Sequence, residues 1–87
     1  MKSISEGEKK IFDLVKEGAI FKHYKGNLYE VVSIGRHTES CDLHVVYKAL
    51  YDDSKYGANA IWIRPLSMFL EKILVDGKET SRFERII

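Results

Sequence analysis

The sequence predicts a mainly β fold, a small antiparallel β-barrel or roll of five or six strands with a short N-terminal α-helix. Apolar residues alternate with a period of two from Ala19 onward, which is typical of half-buried strands. Turn residues interrupt this pattern about every eight to twelve residues, as in barrels and sandwiches. Between the strand segments there is no helix-length stretch to carry a parallel crossover, so the strands are expected to be antiparallel.

The N-terminal helix is predicted over residues 1–18. One broad face is apolar and contains Ile4, Ile11, Phe12, Leu14 and Val15. Two overlapping capping boxes can begin the helix, Ser3-x-x-Glu6 and Ser5-x-x-Glu8, and Gly18 can end it. A helix this short is marginal alone, so we expect its apolar face to pack on the β-structure.

The strand pattern occupies six segments of the remaining chain, 19–87. They are residues 19–24, 28–36, 43–51, 60–64, 71–75 and 81–87. Segment 52–59 is predicted to be a loop, and residues 66–69 a single helical turn after Pro65, which lacks the N–H group that a strand needs. Asp76-Gly77 predicts a hairpin turn.

Composition indicates one small domain, residues 1–87. The net charge of +1 argues against a strong, sequence-independent grip on duplex DNA. The single cysteine, Cys41, cannot form an internal disulfide, which favours a reducing, cytoplasmic setting. Residues 1–10 lack the apolar core of a secretory leader, and no apolar run approaches the length of a membrane span. We therefore expect a soluble cytoplasmic protein that does not associate with a membrane.

Several separated motifs together resemble the DUF1653 family, over residues 20–86. They are His23-Tyr24-Lys25-Gly26-Asn27-x-Tyr29, Arg36-His37-Thr38-Glu39, Val46-Tyr47, Trp62-x-Arg64-Pro65-x-x-Met68-Phe69, Val75-Asp76-Gly77 and Arg82-Phe83. The resemblance implies a small bacterial protein of unknown function with an SH3-type barrel, and it supplies no reaction, ligand or cofactor. Segment 52–60 is longer than the connection typical of that family.

The aromatic residues are the first candidates for ligand binding. The set comprises Tyr24, Tyr29, Tyr47, Tyr51, Tyr56 and Trp62. Exposed aromatic side chains on SH3-like barrels form grooves for extended peptides, and with Lys22, Lys25, Arg36 and Arg64 they could also stack on unpaired bases. The alternative is that most of these rings fill a small core. Tyr24, Tyr29 and Trp62 are the best candidates for exposure, because each neighbours a charged motif residue.

The second candidate is Arg36-His37-Thr38-Glu39, at the end of the second predicted strand. These side chains could bind an anion or perform acid–base chemistry. Successive strand residues point to opposite faces, however, so the four would separate unless the chain turns. The structural interpretation is a polar turn in which Thr38 and Glu39 bond the backbone and Arg36 pairs with a carboxylate.

Metal binding and catalysis are weaker hypotheses. His37-x-x-x-Cys41-x-x-His44, with His23, offers zinc-ligand residue types, but the spacing matches no CxxC or HExxH pattern. No metal or other cofactor is predicted. A hydrolase could use His37 with a nearby serine, threonine or cysteine, yet no nucleophile-elbow glycines surround these residues. Catalytic residues are therefore not assigned, and an enzyme is the less favoured alternative.

The sequence thus favours a binding or accessory module with a site on one rim of the barrel. The candidate ligand-binding residues are His23, Tyr24, Lys25, Tyr29, Arg36, His37, Thr38, Glu39, Trp62 and Arg64. Three kinds of partner remain open, namely a small ligand, a peptide and single-stranded nucleic acid. The protein itself is expected to be a monomer or a weak homodimer.

Overall fold

The computed structural model describes residues 6–87, which form two short helices and nine strands. The helices are α1 (Glu6–Leu14) and α2 (Leu66–Phe69). The strands are β1 (Ile20–His23), β2 (Leu28–Arg36), β3 (Leu43–Ala49), β4 (Asp52–Asp53), β5 (Gly57–Ala58), β6 (Ile61–Pro65), β7 (Lys72–Val75), β8 (Lys78–Ser81) and β9 (Phe83–Arg85). Ile4 and the serines of both predicted capping boxes lie outside the described residues. No helix in residues 6–87 has the length and apolar character needed to cross a membrane.

The main sheet has five antiparallel strands in the order β6-β3-β2-β1-β9. Two separate hairpins, β4–β5 and β7–β8, complete the β-structure. The mainly β class and the N-terminal helix are therefore confirmed. Among the described strands the hydrogen-bonded sheet ends at β6 and β9, so a closed barrel, one of the forms expected from the sequence, is not formed.

The inner face of the sheet carries the core. Its central residues are Phe21 on β1, Val31 on β2, Val45 and Tyr47 on β3, and Phe83 on β9, all of which are buried. A β-bulge between Val31 and Ser33 inserts an extra residue into β2. Because of that residue, Val31 and then Ile34, three positions apart, contact the core while Val32 is exposed.

Helix α1 packs on this core through Ile11, with Val15, which follows the helix, fully buried. Arg85 of β9 holds the end of the helix, since its Nη1 donates to the carbonyl oxygens of Asp13 and Leu14 at 2.8 and 3.1 Å. A cation that bonds the last carbonyls of a helix also stabilises the helix dipole. The placement of Leu14 on the packed face was wrong, because its side chain is exposed.

In the second half of the chain, two predicted segments need correction and two predicted turns are confirmed. The predicted loop 52–59 contains the two-residue strands of β4–β5, where the Asp53 carboxylate accepts hydrogen bonds from the Lys55 and Tyr56 amides. The predicted final strand, 81–87, is instead divided between β8 and β9. The helical turn at α2 is confirmed. The Asp76-Gly77 hairpin turn is confirmed too, with positive φ angles of 51° and 79° that suit this residue pair.

Candidate functional site

An open cleft of about 210 Å³ lies on the inner face of the main sheet. All five strands of that sheet contribute to it. The bordering residues are His23 (β1), Tyr29 (β2), Tyr47 (β3), Tyr51, Trp62 and Arg64 (β6), and Phe83 (β9). On β6 the alternation of side chains places Trp62 and Arg64 inward, whereas Ile61 and Ile63 are exposed on the opposite face.

Phe83 forms the aromatic base of the cleft. Its ring stacks on the buried Phe69 ring of α2, with centroids 4.3 Å apart and an interplanar angle of 9°. Tyr29 and Tyr47 each meet Phe83 edge to face at 5.6 Å, and they meet each other at 5.4 Å. Such edge-to-face packing is a favoured arrangement of aromatic rings and fixes their positions. The rings that line the cleft are therefore held in place by the hydrophobic core: Tyr47 and Phe83 are part of it, and Tyr29 packs against it.

Two tyrosine hydroxyls meet at one side of the cleft. The Tyr29 and Tyr51 oxygens lie 2.8 Å apart and share a hydrogen bond. Burial, and then this hydrogen bond, raise the pKa of the Tyr29 phenol well above its usual value. Tyr29 is thus a neutral hydrogen-bonding group at ordinary pH and a poor candidate for a general base.

Arg64 brings a positive charge to the cleft. Its Cζ lies 5.6 Å from the centroid of the Phe83 ring, within cation–π range. Its Nη1 is buried and hydrogen-bonds to no described residue. Burial raises the pKa of the nearby Tyr47 phenol, and both the charge of Arg64 and a side-chain hydrogen bond between the two residues partly oppose that rise. Both Arg64 and the phenols of the cleft are therefore able to donate hydrogen bonds to an acceptor.

His23 lies between the cleft and the β1–β2 turn. Its Nδ1 accepts a hydrogen bond from the Lys25 amide at 3.2 Å, and its ring meets the Phe83 ring at 4.9 Å. Burial lowers the pKa of His23, and the positive charges of Arg64, Arg82 and Lys25 lower it further. Because Nδ1 accepts, the proton of the neutral ring resides on Nε2. His23 is therefore a neutral donor in a region of positive potential.

Tyr24 and Lys25 lie at the edge of this region and are exposed. The Tyr24 ring lies 4.5 Å from the His23 ring, and the Lys25 Nζ lies 5.8 Å from the centroid of the Tyr24 ring. On the far side, Tyr56 of the β4–β5 turn meets Trp62 edge to face at 5.0 Å. Six of the ten candidate residues thus gather in or beside the cleft, namely His23, Tyr24, Lys25, Tyr29, Trp62 and Arg64.

The other four candidates, Arg36, His37, Thr38 and Glu39, lie at the β2–β3 turn. Tyr29 and Arg36 are seven residues apart on β2, which is roughly 23 Å at about 3.3 Å per residue. The structure therefore divides the expected single rim into two groups at opposite ends of one strand. The β-turn at Lys25-Gly26-Asn27 belongs to the first group and segment 37–42 to the second.

The side chains of the β2–β3 turn bond mainly to one another and to the local backbone. Arg36 pairs with Glu8 of α1 at 2.9 Å, as expected for a carboxylate partner, and also donates to the Cys41 carbonyl at 3.1 Å. His37 Nδ1 accepts from the Glu39 amide at 3.2 Å. Thr38 donates to the Glu39 carboxylate rather than to the backbone. The Arg36–carboxylate pair of the structural interpretation is thus present, whereas the Thr38 and Glu39 side chains bond each other instead of the backbone.

Zinc-ligand residue types do not converge in the structure. The His37 and His44 rings lie 5.5 Å apart beside the exposed Cys41, while His23 is at the other end of β2. Within residues 6–87 no group of three or more His, Cys, Asp or Glu side chains is arranged to hold a metal ion.

Phe83 borders the cleft but was not among the ten candidate residues predicted from the sequence. It follows Tyr29 by more than fifty positions in the sequence and enters the cleft because β9 pairs with β1, with His23 opposite Phe83. Its place in the Arg82-Phe83 motif was the available signal. Tyr47 and Tyr51 belong to the aromatic set already singled out, and β3 places Tyr47 opposite Trp62.

The fold and the cleft together define a small antiparallel β protein with an aromatic cleft that contains one arginine. Comparison with known families identifies it further. The chain belongs to the family described as "Protein of unknown function (DUF1653)", whose model matches residues 19–85. It is similar to the crystal structure of a protein belonging to DUF1653 from Bordetella bronchiseptica, with 25% sequence identity, a TM-score of 0.69, and coverage of 82% of this chain and 87% of that one. A comparison with curated proteins found no match.

Proposed function

We propose that the protein is a binding module that holds one planar group of a larger partner in the cleft. The observation that carries this proposal is the convergence of His23, Tyr29, Trp62 and Arg64, from three strands, on one open cleft. Flat rings offer stacking surfaces, and the phenols, the imidazole and the guanidinium offer directional hydrogen bonds. This combination is typical of a recognition site.

The size of the cleft favours a part of a ligand over a whole one. Pockets for complete small molecules commonly have about 300–1,000 Å³, whereas this cleft has about 210 Å³. A single aromatic side chain or nucleobase suits the smaller volume. The partner is therefore expected to be a chain or a larger molecule that inserts one group.

The residues that border the cleft give less support to a hydrolase. They include no serine, threonine or cysteine, and the raised pKa of Tyr29 disfavours its ionisation. His37, the alternative catalytic base, lies at the other end of β2, where its Nδ1 accepts hydrogen bonds from the Glu39 and Ser40 amides. A general base must have a free lone pair within reach of its substrate.

Single-stranded nucleic acid is a second candidate partner. Its support is the pair of exposed lysines, Lys22 and Lys25, that flank His23 on β1 and on the following turn. A base could stack in the cleft while a lysine contacts phosphate. The net charge of +1 allows only a few such contacts, so binding would be weak and strongly salt-dependent.

The proposal is tested by NMR titration with phenol, sodium benzoate and a ten-nucleotide oligothymidylate, monitoring the indole N–H of Trp62. We expect at least one probe to shift this resonance, and Tyr29→Leu to weaken that probe at least tenfold. Ile63→Ala is the matched control, because Ile63 lies on the opposite face of the same strand. A folded protein that binds no probe at millimolar concentration would contradict the proposal. Loss of oligothymidylate binding in high salt would favour nucleic acid.

A further inference from the structure

We propose that the group held in the cleft carries an oxyanion, a carboxylate or a phosphate, next to its planar ring. This inference rests on the proposed binding function and specifies the chemistry of the ligand. The observations behind it are the charges around the cleft, the hydrogen bonds of Arg64 and the nearby Arg82, and the surroundings of His23.

The charges around the cleft are unbalanced. The bordering side chains include Arg64 and His23 and no aspartate or glutamate. Arg82 and Lys25 lie close enough for their positive charges to act on His23. An incoming anion therefore meets only positive or neutral side chains in the cleft itself, and such an arrangement favours anionic ligands.

The arginines at this end of the sheet are incompletely hydrogen-bonded. Arg64 Nη1 and Arg82 Nε are both buried and bond to no described residue. The carboxylate of Glu71 lies 3.7 Å from Arg82 Nη2, a distance too long for a strong hydrogen bond. By contrast, Arg36 bonds to Glu8 and to a backbone carbonyl. Arg64 is half-buried, and its buried Nη1 is a hydrogen-bond donor without a described partner. Leaving such a donor unpaired is unfavourable, so an oxyanion that accepts from Arg64 would be stabilised.

The charge of Arg64 also excludes the ligand that aromatic boxes often hold. Rings of Tyr29, Tyr47 and Trp62 around a cleft could bind an alkylated ammonium group through cation–π contacts. The guanidinium of Arg64 occupies the cation–π position over Phe83 and would repel a second cation. The cleft is therefore expected to reject cations and select anions.

Anion binding should also be coupled to a proton on His23. The charged and phenolic groups near its ring are Lys25, Arg64, Arg82, Tyr24 and Tyr29. On the side facing β8 and β9, His23 also borders a second cleft that contains Lys22 and Glu84. In the free protein the pKa of His23 is lowered, so the ring is neutral near pH 7. A bound oxyanion stabilises the protonated ring and raises this pKa. Affinity then increases as the pH falls through the bound-state pKa, and the increase is complete below the free-state pKa.

The test uses four ring compounds of similar size and different charge, with the Trp62 indole resonance as the readout. They are benzoate, phenyl phosphate, benzamide and benzylammonium. We expect the better of the two anions to bind at least tenfold more tightly than benzamide, and benzylammonium to bind most weakly. Tighter binding of benzoate assigns a carboxylate, and tighter binding of phenyl phosphate assigns a phosphate.

Variants connect the charge preference to Arg64. Arg64→Gln should abolish the difference between benzoate and benzamide, Arg64→Lys should restore part of it, and Arg36→Gln, at the far end of β2, should leave it intact. Equal binding of benzamide and both anions would overturn the inference while leaving the proposed binding function in place. If none of the four compounds binds, the binding function itself fails.

A second readout tests the proton coupling. The pKa of His23, measured from its ring C–H resonances, should increase when benzoate or phenyl phosphate saturates the protein. An unchanged or lower pKa would overturn the coupling.

Discussion

The two ends of strand β2 carry similar residues in similar settings and differ in how their charges are satisfied. At each end a histidine stands at the start of a hairpin turn, and its Nδ1 accepts a hydrogen bond from the amide two residues later. The Lys25 amide donates to His23 and the Glu39 amide donates to His37, both at 3.2 Å. Each histidine therefore stabilises its turn by accepting a backbone hydrogen bond. A motif that contains histidine beside polar residues need not be catalytic.

The arginines show the difference. Arg36 at the β2–β3 turn has a carboxylate at 2.9 Å and a backbone carbonyl at 3.1 Å. Arg64 in the cleft has an aromatic ring beneath it and a buried nitrogen that bonds to no described residue. Charge that the fold has already paired stabilises structure, whereas charge that the fold leaves unpaired is available to a ligand. This contrast, more than residue type, identifies the candidate site.

The largest expected effect is on stability at the cleft end. Phe83→Ala removes a buried ring that touches Phe69, Tyr29 and Tyr47, and should lower the free energy of unfolding by about 3–5 kcal/mol. Thr38→Ala at the exposed turn should change it by at most about 0.5 kcal/mol. Urea unfolding measures both. Similar losses would mean that the cleft walls are not part of the core.

A smaller effect is expected for the hydroxyl pair. Tyr51→Phe removes the hydrogen bond between the Tyr51 and Tyr29 hydroxyls and should cost about 0.5–1.5 kcal/mol. Tyr56→Phe serves as the control, because Tyr56 is exposed and its described ring contact with Trp62 is retained. Equal stabilities of the two variants would show that the Tyr29–Tyr51 bond contributes nothing.

For the arginines we expect the larger loss of stability at the β2–β3 turn and not at the cleft. Arg36→Met breaks an exposed ion pair and should lower stability by at most about 1 kcal/mol. Arg64→Met removes a guanidinium whose buried nitrogen lacks a described partner, so stability should be unchanged or slightly increased. Thermal unfolding compares the two. A larger loss for Arg64→Met would mean that Arg64 is structural and would remove the contrast between the ends of β2.

The smallest effect concerns pH. Because the pKa of His23 is lowered in the folded protein, the unfolded chain binds the proton more tightly. Stability is therefore full above the unfolded value of about 6.5 and decreases as the pH falls from there toward the folded pKa. His23→Gln should reduce this decrease, which unfolding experiments between pH 5 and pH 8 would detect. A slope that is identical in the variant would contradict the assigned environment of His23.

Much of the fold could be predicted from local chemistry. Asp76-Gly77 predicted its hairpin because this pair readily adopts positive φ, and the helical turn after Pro65 was also found. The strands of β4–β5 were missed, since two-residue strands leave no periodic signal and a run of Asp, Ser and Gly reads as loop. The bulge in β2 was also missed. It lets Val31 and Ile34, three residues apart, both contact the core, and so it interrupts the alternation expected of a regular strand.

The site was predictable in part. Turn chemistry and aromatic content pointed to His23, Tyr29 and Trp62, but their meeting with Phe83 depends on β9 pairing with β1, a contact between distant segments. The sequence also placed Arg36 and Arg64 in one site. Only their contacts in the structure separate them, because Arg64 lies over the Phe83 ring whereas Arg36 pairs with Glu8 of α1.

The central claim is that a ligand binds in the cleft beside Tyr29, at the start of β2, and not at the β2–β3 turn, where β2 ends. The most direct test is to map the ¹H–¹⁵N shifts of the wild-type protein during titration with sodium benzoate. The account predicts that the largest changes occur at the Trp62 indole and at the amides of Tyr29 and Arg64, with His37, Thr38 and Glu39 unchanged. Largest changes at the β2–β3 turn, with the Trp62 indole unmoved, would contradict it.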